Sequence, residues 1–264
     1  MKNITLISDW KLRDPYIAIF KGLILKELGD VNFIDISHAI PLCDIKQTAF
    51  ILKGSYLSFP DDTLHVILTG AVNNPDLMPV CVKYGKHIFI GADNGIFSLL
   101  LESDENFTAH IYDENIPSES FIERIIKMIK WHFSGEIEKH TKPYEDLRFV
   151  LSKMPEINPT AGTLTGHIAY IDSFCNAVTD IPVAMFKEFV GKRQFQATVS
   201  ASQYITISKY SDFYKNCGNE VYFVANQFGF LEITMFRAHI AVLGNIQIGD
   251  EVVVAPLGLE PRTP

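Results

Sequence analysis

The chain has 264 residues, enough to bury a large core in one large domain or two smaller ones. Hydrophobic residues at 47% and charged residues at 20% exclude a disordered polymer, and a net charge of −8 leaves no basic stripe for nucleic acid. The first residues run straight into a strand pattern with no signal-peptide h-region, and no apolar run approaches a membrane span. Cys43, Cys81, Cys175 and Cys217 are scattered with no CxxC pair, so reduced core or pocket thiols are expected. The expectation is a cytoplasmic globular protein with no membrane or nucleic-acid partner.

The first half alternates strand and helix signals. Residues 4–8 are a short β-branched run, and Asp14-Pro15 opens an apolar-periodic helix that Gly29 stops, with Asp14 placed to cap it. Residues 31–36 read as a strand and 44–58 as a helix. Further strands are expected at 64–68, 80–83 and 87–90, then a short helix at 95–101. Residues 121–133 form the clearest later helix, amphipathic through Ile122, Ile125, Ile126, Ile129 and Phe133. Such alternation predicts an α/β domain with a largely parallel sheet.

After about residue 150 the character changes. Pro155, Asn158-Pro159 and Ala161-Gly162 read as a linker, and short strands follow at 166–172, 196–200, 220–225, 230–234 and 251–254. Helix signals are sparse, and Gly, Asn and Asp punctuate the turns, which predicts a smaller all-β, barrel-like domain. The expected division is 1–155, 156–254 and a disordered tail at 255–264.

Five segments carry a resemblance. They are residues 5–25, the run Asp35-Ile-Ser-His38-Ala-Ile-Pro41, the turn Ala92-Asp-Asn-Gly95, the stretch Asp172-Ser-Phe174-Cys-Asn176-Ala-Val-Thr-Asp, and Gly229-Phe-Leu-Glu232-Ile. In order and spacing they resemble the S-adenosylmethionine (SAM) hydroxide adenosyltransferases, or SAM hydrolases, relatives of the SAM-dependent fluorinases and chlorinases. The resemblance implies an α/β domain followed by a β-barrel, usually as a homotrimer with the ligand between domains of neighbouring subunits. It implies SAM or adenosine as ligand or substrate, with no further cofactor and no metal. His38, His132 and His140 offer no metal set.

The same resemblance implies roles for single residues. Asp9 follows the first strand, where open α/β sheets place ligand-facing groups, and its carboxylate would hold a ribose diol. Asp14 matches a residue near the methionine ammonium, and Trp10 stands where the family has Phe. Asp172, Phe174 and Asn176 alternate and would supply an amino-group acceptor, a stacking ring and an amide for adenine. Cys175 replaces a glycine within that signature, so a positive φ there would be strained. Cys43 sits where the family has an aromatic ring.

The reacting groups are different. Thr69 stands at the position of the family's catalytic Asp, residues 75–77 hold no arginine where one is expected, and the histidine position is Ile122, with Thr69 and Phe121 both expected among the ligand-binding residues. Glu123 and Asp76 are the candidates for replacement chemistry, as a base for water. Each has a bland alternative: Ser120-Phe-Ile-Glu123 is a capping box, and Asn73-Asn-Pro-Asp76 an ordinary turn. The expectation is a SAM- or adenosine-binding protein with weak or no hydrolysis. The alternatives are an active hydrolase with a rearranged site and an enzyme acting on another adenosine-type nucleoside.

Overall fold

The computed structural model describes residues 2–71, 77–101, 106–113, 119–200 and 202–258. The chain divides into two compact units, Met1–Leu151 and Ser152–Pro264.

The first unit contains β1 (Lys2–Ile7), α1 (Tyr16–Leu28), β2 (Val31–Ser37), α2 (Ile45–Ser55), β3 (Leu64–Ile67), β4 (Pro79–Tyr84), β5 (His87–Ala92), α3 (Ile96–Leu100), β6 (Phe107–Tyr112), α4 (Phe121–Ser134), α5 (Ile137–His140) and β7 (Thr141–Pro143). Its sheet runs β2-β1-β3-β5-β4-β6-β7. The β2-β1-β3-β5 half is parallel, as the alternation predicts, because each crossover has a helix or a long connection to carry it. The β5-β4-β6-β7 half is antiparallel. Only Gly85 and Lys86 separate β4 from β5, too few for a crossover, and Gly85 at φ 57° supplies the left-handed turn.

Alternation along the strands sorts the core. Ile4, Leu6, Leu64, Val66, Ile88 and Ile90 pack with Ile17, Phe20 and Ile24 of α1 and Ile125, Met128 and Ile129 of α4. The α4 spacing buries one stripe, and the helix opens on a complete capping box between Ser120 and Glu123. Helix α2 starts at Asp44, whose side chain accepts from the Gln47 N–H at 2.9 Å. Asp14 does not cap α1: Pro15 occupies that position in helical conformation and no side chain bonds the free N–H groups. The missing proline donor already removes one of those groups, so the cap is less needed.

The second unit contains β8 (Glu156–Asn158), β9 (Thr163–Ile171), β10 (Ala177–Pro182), α6 (Val183–Val190), β11 (Phe195–Val199), β12 (Ser202–Ile207), β13 (Lys209–Ser211), β14 (Val221–Ala225), β15 (Phe230–Met235), α7 (Ile240–Leu243) and β16 (Glu251–Pro256). The strands follow the order β12-β11-β16-β9-β10-β15-β14-β13, with β8 added on β9, and form a nearly closed barrel-like sheet. All pairings are antiparallel except β13 with β14. Strand β16 continues through Ala255 and Pro256, paired with Gln196 and Phe195, so the expected tail begins inside a strand. Residues 259–264 lie outside the described ones. Helix α6 is a correction to the sparse helix signal: Phe186 and Val190, four apart, close the end of the barrel core.

Candidate functional site

Asp9 sits two residues past the end of β1, at the carboxyl edge of the parallel half-sheet. Its Oδ2 accepts the Cys43 N–H at 2.8 Å and the Gly70 N–H at 3.1 Å. The first of these donors is presented by Cys43 in a left-handed conformation, φ 58°, which is strained for a residue with a Cβ. Oδ1 accepts nothing from the described residues, and Asp9 lines a cavity of about 910 Å³ with Trp10, Phe20, Asn94, Ile122 and Arg148 among its neighbours. Trp10 packs edge-on to Phe20, ring centres 6.0 Å apart, and its buried Nε1 has no acceptor among the described residues.

The Asp35–His38 motif acts behind this wall. Buried His38 is 2.7 Å through Nδ1 from the Ser8 hydroxyl, whose oxygen accepts the Trp10 N–H at 3.3 Å. Asp35 pairs with Lys21 at 2.7 Å, and the Lys21 and His38 contacts hold its carboxyl below the ordinary range against the opposing effect of burial. The motif therefore fixes the turn that carries Asp9 and Trp10.

Thr69 is buried, with its hydroxyl accepting from the Thr48 hydroxyl at 3.0 Å and its carbonyl accepting from Asn94 Nδ2 at 3.0 Å. It does not line the cavity, whereas Ile122 does. Phe121 turns into the core beside Ile125 and Met128. Glu123 accepts the Ser120 N–H and hydroxyl, each at 2.7 Å, which holds its carboxyl below the ordinary range. Asp14 is exposed and away from the cavity lining. Asp76 lies outside the described residues.

Arg148 is a cavity residue that the sequence does not announce. Asp93 of the Asp-Asn-Gly turn accepts the Tyr144 hydroxyl at 2.8 Å and the Arg148 N–H at 2.9 Å. Burial and the adjacent Asp93 carboxylate push the Tyr144 phenol up to about 12. Gly95 completes the seat: at φ +97°, any Cβ there would meet Val150 Cγ2 at 2.3 Å. The turn thus straps residues 144–150 along the cavity by contacts 51 and 55 residues apart in sequence.

Asp172, Phe174 and Asn176 line a cavity of about 770 Å³ in the second unit. They form a tight turn between β9 and β10, closed by Asp172 N–H to Asn176 O at 3.1 Å and Cys175 N–H to Asp172 O at 3.0 Å. Asp172 Oδ1 accepts the N–H groups of Phe174 and Asn176, and Oδ2 accepts Asn176 Nδ2 at 3.1 Å. Asn176 Oδ1 in turn accepts the Thr234 hydroxyl at 2.8 Å. Phe174 is 75% exposed, a ring held out over the cavity, and Cys175 takes the expected positive φ, 60°. Glu232 is the group that sequence reasoning missed here. It is 3% exposed on β15, accepts from the Tyr214 hydroxyl at 2.9 Å, and burial raises its carboxyl to about 7. Among the described residues no cluster of His, Cys, Asp and Glu is placed to hold a metal ion.

Both units have counterparts among known proteins. Residues 4–126 match the model of the SAM hydroxide adenosyltransferase N-terminal domain, and residues 166–253 that of the C-terminal domain. An (R)-S-adenosyl-L-methionine hydrolase of Methanocaldococcus jannaschii is 24% identical over 270 residues, 95% of each chain. Another of Thermus thermophilus is 28% identical over 102 residues, so the match spans only 38% of that relative's length and 38% of this chain. An uncharacterized conserved protein from Thermotoga maritima superposes with a TM-score of 0.83 at 16% identity, over 96% of this chain and 99% of its own. A conserved hypothetical protein, also from Thermus thermophilus, gives 0.74 at 19% identity, over 96% and 100%. The chain belongs to the SAM hydroxide adenosyltransferase family.

Proposed function

We propose that this protein binds SAM, or the adenosine within it, and hydrolyses SAM weakly or not at all. The observation that carries the reading is the pairing of a ready carboxylate at Asp9 with a cavity wall of Ile122 where the family's histidine is expected. Asp9 Oδ2 is fixed by two backbone N–H groups, which leaves Oδ1 for a ribose diol. Attack of water on the ribose C5′ releases methionine as a neutral thioether and needs a base for the water proton and a group to orient that water. An isoleucine supplies neither, and the Thr69 hydroxyl is engaged with Thr48. Glu123 is a poor base for the same reason: Ser120 holds it ionised and occupied.

Active hydrolysis through a rearranged site is the second reading, favoured by the hydrolase names of the relatives and by Arg148 in the cavity wall. Exposed apolar side chains, Leu12, Tyr16 and Leu42 on the first unit and Phe174 and Phe236 on the second, support a homotrimer as the working form. Among the described residues no helix is long and apolar enough to cross a membrane.

The test is chromatography of SAM incubated with stoichiometric protein, alongside calorimetric titration. The expected result is measurable binding of SAM or adenosine, a tenfold or greater loss of affinity in Asp9→Ala, and less than one turnover. Repeated release of adenosine and methionine would favour the second reading, and unchanged affinity in Asp9→Ala would remove the Asp9 cavity from both.

A further inference from the structure

The polar groups of the Asp172 turn consume one another. Both oxygens of Asp172 are occupied by Phe174, Asn176 and the Asn176 amide, and the other end of that amide is taken by Thr234. Glu232 is different. Its Oε2 takes the Tyr214 hydroxyl, while its Oε1 is buried and without a donor among the described residues. A buried acceptor left without a donor is costly, and a protein keeps one where something else supplies the donor. Arg237 also lines the cavity, but its guanidinium lies over the Phe236 ring, 5.0 Å from the centroid.

We propose that Glu232 is the acceptor in this cavity for a primary amino group of the ligand. The inference rests on the nucleoside reading above for the identity of that ligand, and the amine is either the exocyclic group of the purine or the ammonium of the amino-acid end. Three features select an amine over a hydroxyl. Glu232 and Asp172 put two carboxyl groups on one cavity, so a donor with positive character is favoured. Burial, and after it the nearby Asp172 carboxylate, raises the Glu232 carboxyl against the Tyr214 hydrogen bond, and an approaching cation would reverse that shift. Phe174, 75% exposed, offers a ring face to a flat or cationic group.

Calorimetry at pH 7 on wild type and Glu232→Gln, each checked for folding by circular dichroism, decides the matter. The probes are adenosine against inosine, S-adenosylhomocysteine against methylthioadenosine, and benzylamine against benzyl alcohol. A tenfold loss for adenosine with inosine unchanged identifies the purine amine. The same loss for S-adenosylhomocysteine with methylthioadenosine unchanged identifies the ammonium. Equal losses within both pairs, or no loss, overturn the inference. A wild type that binds adenosine and inosine equally, and S-adenosylhomocysteine and methylthioadenosine equally, overturns it whatever the variant does. If wild type binds no nucleoside, the proposed ligand class falls and benzylamine decides: binding that benzyl alcohol lacks and Glu232→Gln loses upholds the acceptor, and no such difference overturns it.

Discussion

The Thr48 hydroxyl donates to the Thr69 hydroxyl at 3.0 Å, with both side chains buried behind the Asp9 cavity. The family resemblance puts Thr69 at the position of a catalytic carboxylate, so restoring the acid is an obvious repair. We expect it to fail. Thr69→Asp places a charge among Thr48, Asn94 and the core without a cationic partner, at a cost of about 1–3 kcal/mol. Ile122 would still face the cavity where a base is needed. Urea midpoints and adenosine chromatography check both halves, and a variant of wild-type stability with steady turnover would show that Thr69 alone limits the chemistry.

Glu123 is bound into its helix start, not into the cavity. Replacing it by Gln removes a charge-assisted acceptor from the Ser120 N–H and hydroxyl and leaves the Asp9 wall untouched. The expected result is a loss of roughly 0.5–1 kcal/mol of stability, with ligand affinity and any adenosine release unchanged. A loss of release with unchanged binding would instead make Glu123 the base of a working hydrolase.

Cys175 carries strain at φ 60° inside the turn that orders Asp172 and Asn176. Glycine reaches that conformation freely, so Cys175→Gly is expected to raise the stability of the second unit by about 0.5–1 kcal/mol. The added unfolded-state entropy of glycine keeps the gain small. Thermal unfolding of the full chain reads the sign, and a lower melting temperature would mean that the half-buried thiol contributes more by packing than the backbone loses by strain.

The sequence reveals what is local or periodic. The stripe and capping box of α4 are legible because all the groups involved fall within a few residues, whereas the β4–β5 reversal shows only once the structure extends β4 to Tyr84 and leaves a two-residue connection. The barrel-like second unit is legible from its spaced short strands, but α6 is not, since eight residues carry barely two turns of pattern. What stays hidden in the sites is contact between distant residues. Arg148 reaches its cavity through Asp93, 55 residues away, and Glu232 meets Tyr214 across 18 residues. No spacing rule links such partners. Resemblance singles out Asp9, Asp172 and Asn176 because they sit in motifs, and it passes over Glu232 although the residue lies in one.

His65 gives the first unit a dependence on pH. Its Nδ1 lies 2.7 Å from the Thr5 hydroxyl and its Nε2 lies 3.1 Å from His87 Nδ1, inside the parallel half of the sheet. Burial, then the neighbouring His87, pushes His65 down to about 3 from the ordinary 6.5. Between those values the unfolded chain binds a proton that the folded chain refuses, so stability is full above pH 6.5 and is lost as the pH falls. At pH 5 the loss from this group is about 2 kcal/mol. Glu232 acts in the opposite sense, because its raised carboxyl destabilises the second unit as the pH rises toward 7, so a bulk melting curve would blend the two. Trp10 and Trp131 both belong to the first unit and report on it by fluorescence. In urea unfolding followed at tryptophan, the stability gap between wild type and His65→Gln should narrow by about 2 kcal/mol from pH 7 to pH 5. A gap that holds constant would mean that the folded chain accommodates a charged His65, and the buried histidine pair would then carry no pH dependence.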